Sequence, residues 1–224
     1  MKKAVITFIF GKGKELLREP KIIDEDVEYI CVTDQKDLKS KNWKIIIDLM
    51  PEVKVVRDKM VYVKYNPFKY TNAEQICVID GALEIKTSLK DFFNELDNNE
   101  IALKNHPKRK WLDLELNEWC KVRNLDRNYI HKFDYIAKQN NLSLNKINVY
   151  ETCVIGYNNN SACRNLCENV ISYMKFLGQN GNLLMTNQCV VSLLMKMNPL
   201  KCSIINQLKY FNRYRHNTLQ MTNW

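Results

Sequence analysis

Short, strongly apolar runs alternate along the chain with stretches whose apolar residues recur every three or four positions. VITFIF (5–10), EYICVTD (28–34), KIIID (44–48), QICVID (75–80) and IALKNH (101–106) are rich in β-branched and aromatic residues, which is the pattern of buried strands. INVYETCVIGY (147–157) predicts a later, longer strand or hairpin arm. Between them lie helical stripes. Ser88 precedes Asp91 by three residues and opens the stripe Leu89, Phe92, Phe93 and Leu96, a hydroxyl cap with a carboxylate at the third position. Leu112, Leu116, Trp119 and Cys120, then Ile130, Phe133, Ile136 and Ala137, predict a helical pair over about 112–140. Ala162 to Leu177 forms a long amphipathic stretch ended by Gly178–Gly181, and Thr186 opens a further helix that Pro199 stops. Strands alternating with helices predict an α/β domain with a mixed sheet.

Composition narrows the class. The 224 residues are 46% hydrophobic and 26% charged, with 10% aromatics, six Gly and five Pro, enough for one sizeable core and too ordered for a collagenous or disordered chain. No run approaches the roughly 20 apolar residues that span a bilayer. The opening MKKAVITFIFGKGKELL loses its hydrophobicity at Gly11 and has no small-residue cleavage site, so a cytoplasmic protein is expected. Eight cysteines show no Cys-x-x-Cys pair and sit in apolar runs, as buried free thiols do.

The net charge of +9 is uneven, because Glu168 is the last acidic residue and Lys175, Lys196, Lys201, Lys209, Arg213 and Arg215 follow it. A cationic end implies an anionic partner: a phosphorylated ligand, an anionic membrane surface or nucleic acid.

Several catalytic classes are disfavoured. Gly11-Lys-Gly13 lacks a third glycine, and the chain has no P-loop, no G-x-S-x-G elbow and no H-E-x-x-H pair. What remains is polar residues at strand ends, where open α/β sheets bind ligands: Asp34, Asp48, Asp80 and His106. For each alone a turn or capping role is the favoured reading, but four together are harder to dismiss. Carboxylates at strand ends together with scattered cations suit a nucleotide diphosphate sugar, whose leaving diphosphate needs a metal ion or Lys and Arg to neutralise it.

The order of short motifs from Ile6 to His216 resembles glycosyltransferase-like proteins of the GT-A fold group, in particular the TOD1/MUCI70-type domain with bacterial and viral sugar transferase relatives. The resemblance is carried by Thr7-Phe-Ile-Phe-Gly11, Tyr29-Ile-Cys-Val-Thr33-Asp34, Arg57 and Lys64 before Asn66-Pro-Phe68, Ile79-Asp80-Gly81-Ala82, His106-Pro-Lys-Arg109 with Glu115, Tyr150-Glu151-Thr152, and Thr186-Asn-Gln188. It implies a GT-A-like, mostly parallel sheet flanked by helices in a single domain over 1–224, with a nucleotide-sugar-binding half (1–106) and an acceptor-side half (107–224). It also implies a sugar transferase acting between a nucleotide diphosphate sugar and a glycan or lipid-linked acceptor, as in polysaccharide biosynthesis. Peripheral contact with an anionic membrane is expected of the basic end, and nucleic acid is the weaker partner, since no binding motif for it is present.

On that resemblance Asp80 and Glu151 are the catalytic candidates. Thr7, Gly11, Thr33, Asp34, Arg57, Lys64, Gly81, Ala82, His106, Arg109, Thr152 and Gln188 are the substrate-binding ones. Mn²⁺ or Mg²⁺ is implied, with Asp80 and His216 as ligands, although Asp80-Gly81-Ala82 lacks the second carboxylate of the usual Asp-x-Asp. Glu151 is the candidate base for an acceptor hydroxyl, with a role as a buried acid paired to Arg164 or a lysine equally open. Trp111, beside the basic run, offers a flat face for a sugar ring. A catalytically inert sugar-nucleotide-binding relative, suggested by the missing aspartate and by Asn187, and a nucleic-acid-binding protein using the basic end are the rival readings.

Overall fold

The computed structural model describes residues 1–11, 16–123, 126–178, 183 and 186–214. Its elements are β1 (Lys3–Ile9), β2 (Val27–Thr33), β3 (Lys44–Ile47), α1 (Val56–Lys64), β4 (Gln75–Ile79), β5 (Leu83–Ile85), α2 (Lys90–Asp97), β6 (Ile101–Asn105), α3 (Leu112–Arg123), α4 (Asn128–Gln139), β7 (Tyr150–Asn158), α5 (Ser161–Leu177), α6 (Asn187–Met197), β8 (Cys202–Ile204), α7 (Gln207–Tyr210) and β9 (Phe211–Arg213). Seven strands form one sheet in the order β3-β2-β1-β4-β7-β6-β8, and β5 pairs with β9 in a second, two-stranded sheet. Only β7 runs against the rest of the large sheet. It lies between β4 and β6, so the two expected halves of the chain interleave in one sheet.

Near-continuous apolar strands follow from burial on both faces. Even-numbered residues of β1, Ala4, Ile6 and Phe8, join Ile76, Val78, Leu116, Phe133, Val170 and Leu193 in one core. The odd-numbered Val5 and Ile9 join Cys77, Ile79, Phe92, Phe93, Leu96 and Phe211 in the other. Gly156 of β7 lets the second layer close. A Cβ there would stand 2.9 Å from Ala102 Cβ and 3.0 Å from Phe92 Cζ.

The expected strands and helices are present, with instructive differences. The Ser88 hydroxyl accepts from the Lys90 amide at the start of α2 (3.3 Å), as its place before the stripe suggests, but it also donates to Asp24 Oδ1 (2.6 Å), and Asp24 Oδ2 accepts from the Leu89 amide (2.7 Å). The carboxylate at the helix start comes from 64 residues upstream. Asn160 caps α5 by accepting from the Cys163 amide at 2.9 Å. The turn expected at 178–181 lies mostly outside the described residues, but α5 ends at Leu177 as expected. α1 was not legible as a helix, because its stripe is weak and broken by charge; Asp58 and Lys64 are buried on it. All eight cysteines are free, six of them buried.

Candidate functional site

Because β7 is antiparallel, its start lies at the edge of the sheet where β1, β2, β4 and β6 end. Register fixes this: Ile79 pairs with Val154, and Lys104 with Glu151. β1 pairs with β4 only as far as Ile6 and Val78, while it continues beside β2 to Ile9. The chain passes from β1 to β2 on one side and returns to β4 on the other, so a crevice opens at the carboxyl ends of β1 and β4, where such sheets bind ligands.

On the β1–β2 side the crevice meets a cleft of about 770 Å³ lined by Gly11, Asp34, Gln35, Lys36, Lys39 and Lys59 among others. Asp34 Oδ1 accepts from the Gly11 amide (2.9 Å) and Oδ2 from Lys59 Nζ (3.3 Å), while Gln35 Nε2 donates to the Gly11 carbonyl (3.0 Å). Gly11 has φ 76°, the left-handed region that favours glycine. Asp34 therefore shapes the loop after β1, and three lysines and two aspartates, Asp34 and Asp37, line the cleft, with Lys59 paired to Asp34.

Beyond the crevice Asp80 follows β4. Its amide donates to Cys153 O (2.9 Å), and its Oδ1 lies 2.6 Å from Lys64 Nζ. Lys64, at the end of α1, is buried and also donates to Thr152 O at 2.9 Å. Thr152 hydroxyl in turn donates to Asn187 Oδ1 (2.5 Å) at the start of α6. Asp80, one-third exposed, is the more open member of the pair.

Next to it, Glu151 bridges two cations: Lys104 Nζ at 2.6 Å from Oε2 and Arg213 Nη1 at 3.2 Å from Oε1. Burial works to raise its pKa, but the hydrogen bond and charge of Lys104, with the charge of Arg213, hold the carboxyl below the ordinary glutamate value. Glu151 is thus held between two cations at the edge of the site. Of the two partners expected for a buried acid, Arg164 or a lysine, it is a lysine, Lys104, that pairs with it, while Arg164 donates to Asn159 Oδ1 and stacks on Phe68. Arg213 is delivered by β9, whose pairing with β5 sets it opposite Leu83, and the Tyr214 amide donates to Ala82 O at 2.9 Å.

A third cluster closes the site where α3 meets α6. Glu115 is fully buried and accepts from Arg109 Nε, Gln188 Nε2 and Trp119 Nε1, the last at 2.7 Å. His106 Nδ1 accepts from the amides of Lys108 (3.2 Å) and Arg109 (2.9 Å), and its Nε2 lies 3.3 Å from Arg109 Nη2. Burial lowers the His106 pKa, the nearby Glu115 opposes it, and Arg109 lowers it further.

The structure thus brings Gly11, Asp34, Lys64, Asp80, His106, Arg109, Glu151, Thr152 and Gln188 to one edge of the sheet, with Gly81 and Ala82 in the turn after Asp80. Others are buried or lie elsewhere. Thr7 is buried midway along β1, facing the second core. Thr33 is buried as well, and its hydroxyl accepts from the Gln35 amide. Arg57 lies two turns of α1 before Lys64, donating to Asp58 Oδ1 (2.8 Å) and Leu183 O (2.6 Å). Asp48 is held by Lys69 and Tyr70, and the face of Trp111 is taken by Lys110, 4.5 Å from its centroid. His216 lies outside the described residues. Sequence reasoning placed Arg213 in the basic end but missed its pairing with Glu151, and it missed Lys59 and Lys104; Lys104 could have been noticed as the single charge inside an otherwise apolar strand.

Mg²⁺-type ions are commonly held by one or two carboxylates together with substrate phosphates, so a metal here turns on how much unmatched negative charge the residues offer. Among the described residues no three His, Cys, Asp or Glu side chains gather as a metal site. Asp80, Glu115 and Glu151 are met by four cations: Lys64, Lys104, Arg109 and Arg213. A divalent ion on Asp80 would share its carboxylate with an ammonium already 2.6 Å away. The described residues do not fit a protein-held metal at this point.

A seven-stranded, mostly parallel sheet with one antiparallel strand, and a two-stranded ribbon beside its ligand-binding edge, is a glycosyltransferase fold of the GT-A kind. The crystal structure of mouse xyloside xylosyltransferase 1 in its apo form superposes with a TM-score of 0.51 at 12% identity, over 92% of this chain and 86% of that one. No family model matches the chain, and no curated protein matches it in sequence. The likeness therefore rests on the fold, and the narrower TOD1/MUCI70-type resemblance gains no support. Among the described residues no helix is long and apolar enough to cross a membrane.

Proposed function

We propose that the chain is a glycosyltransferase that moves a sugar from a nucleotide diphosphate donor to a glycan or lipid-linked acceptor. The observation that carries this reading is the crevice at the ends of β1 and β4, in a fold shared with a xylosyltransferase, flanked by a lysine-lined cleft on one side and by Asp80 with its surrounding cations on the other. The nucleoside occupies the cleft beside Asp34. The diphosphate lies over the crevice near Asp80, and the sugar points toward the start of β7 and α6. In transfer, the bond from the anomeric carbon to the β-phosphate oxygen breaks with its electron pair leaving on the phosphate. The acceptor hydroxyl oxygen forms the new bond, and its proton passes to the departing phosphate oxygen or to water. Cations placed at the leaving oxygen favour that charge separation.

The nucleic-acid reading loses ground in the same place. Lys209, one of the cations of the basic end, is paired with Asp91, so its charge is spent on one of the protein's own acids. The test is thermal stabilisation by a panel of nucleoside diphosphates and their sugars, since a ligand that binds only the folded state raises the midpoint. A rise confined to one nucleoside is expected. No rise with any of them overturns the proposal.

A further inference from the structure

Resting on the transferase reading, we infer that the donor diphosphate is neutralised by the chain's own cations, Lys64, Lys104 and Arg213, and not by a divalent metal ion held on Asp80.

Charge placement carries the inference. Asp80 occupies the position where a metal-holding carboxylate is expected, yet a buried lysine reaches it from another element: Lys64 ends α1, Asp80 follows β4, and their atoms meet at 2.6 Å. Lys64 is fixed from a second side by Thr152 O at 2.9 Å, so the ammonium does not swing away to make room for another cation. Burying a lysine is costly unless it is paired and hydrogen-bonded; here both conditions are met by groups at the ligand-binding edge.

The neighbouring acid repeats the arrangement, Glu151 lying between Lys104 and Arg213. Arg213 exposes two-fifths of its side chain and is carried by the ribbon that also fixes the loop after Asp80. With Glu115 occupied by Arg109, the carboxylates of this edge have, among the described residues, no surplus negative charge with which to recruit a metal. The surplus is positive and suits a diphosphate. In such a site Asp80 fixes the ammonium, and its own charge opposes diphosphate binding. Its removal should therefore strengthen that binding, whereas removal of a metal ligand weakens it.

Isothermal titration of the full chain with uridine, guanosine and adenosine diphosphates and with pyrophosphate, each in excess chelator and in Mn²⁺ or Mg²⁺, separates the possibilities. The expected result is that the best-binding nucleoside diphosphate keeps its affinity within about twofold in chelator. Asp80→Asn should bind it more tightly in chelator. Arg213→Met should bind it about tenfold to a hundredfold more weakly, the effect of one hydrogen bond to a charged group. The chelator comparison needs no variant, so a misfolded mutant does not decide the matter. A tenfold or greater loss in chelator that Mn²⁺ restores, or a loss of affinity in Asp80→Asn, overturns the inference and leaves the transferase reading standing. Absence of binding by every nucleoside diphosphate in both conditions overturns both.

Discussion

Replacing Glu115 by Gln tests whether one buried carboxylate organises the acceptor side of the site. Its Oε1 accepts from Trp119 and Gln188 and its Oε2 from Arg109. A glutamine of the same shape offers a single carbonyl oxygen. Keeping that oxygen on Trp119 and Gln188 turns its amide group against the Arg109 guanidinium, donor against donor. Removing one partner of a buried ion pair costs about 3–5 kcal/mol. Arg109 is 29% exposed and can recover some hydration, which brings the expected loss to roughly 2–3 kcal/mol. At about 2–4 °C per kcal/mol for a chain of this size, the thermal midpoint of Glu115→Gln falls by roughly 4–12 °C. Urea unfolding of Glu115→Gln, Arg109→Met and the double variant then isolates the pair. Arg109→Met leaves the Glu115 charge buried without its guanidinium, so the double variant should lose clearly less than the sum of the two singles. A midpoint within about 1 °C of the parent, or a coupling below about 0.5 kcal/mol, would refute the argument that Glu115 ties the loop after β6 to α6.

Two further outcomes follow from other parts of the molecule. Gly156→Ala forces a methyl to within 2.9 Å of Ala102 Cβ, with Phe92 at 3.0 Å, so it should cost about 1–3 kcal/mol by overpacking; equilibrium unfolding with unchanged stability would show that α2 shifts freely. The His106 pKa is lowered in the fold, so its contribution to stability is fully present above the unfolded value of about 6.5 and is lost as pH falls through the folded value. The lowered Glu151 pKa places a second loss at more acid pH, below the ordinary glutamate value. Thermal midpoints measured from pH 8 to about 2 should fall in both regions. His106→Gln should flatten the first and spare the second, and an unaltered slope between pH 7 and 5 in that variant would contradict the assignment.

The strands were legible because burial on both faces of a sheet leaves continuous apolar runs, and QICVID reads as a strand wherever it lies. The strand-end positions of Asp34, Asp80 and His106 were equally legible, since a polar residue after such a run has to emerge at the sheet edge. Partnership was not. The sequence places Glu151 next to an apolar segment, which suits a base, but nothing local announces that Lys104, 47 residues upstream, and Arg213, 62 residues downstream, hold its two oxygens. α1 and the β5–β9 ribbon escaped notice for a related reason. One carries too much charge for a clean helical stripe and the other is only three residues deep, yet these elements bring Lys64 to Asp80 and Arg213 to Glu151. A missing second aspartate in Asp80-Gly81-Ala82 looked like a defect in a metal site. Beside a buried lysine it is consistent with a different electrostatic arrangement: cations already supplied by the chain leave a second carboxylate with nothing to hold, and one placed there would oppose the diphosphate. A departure from a motif therefore has to be read against long-range ion pairs, which local sequence pattern does not encode.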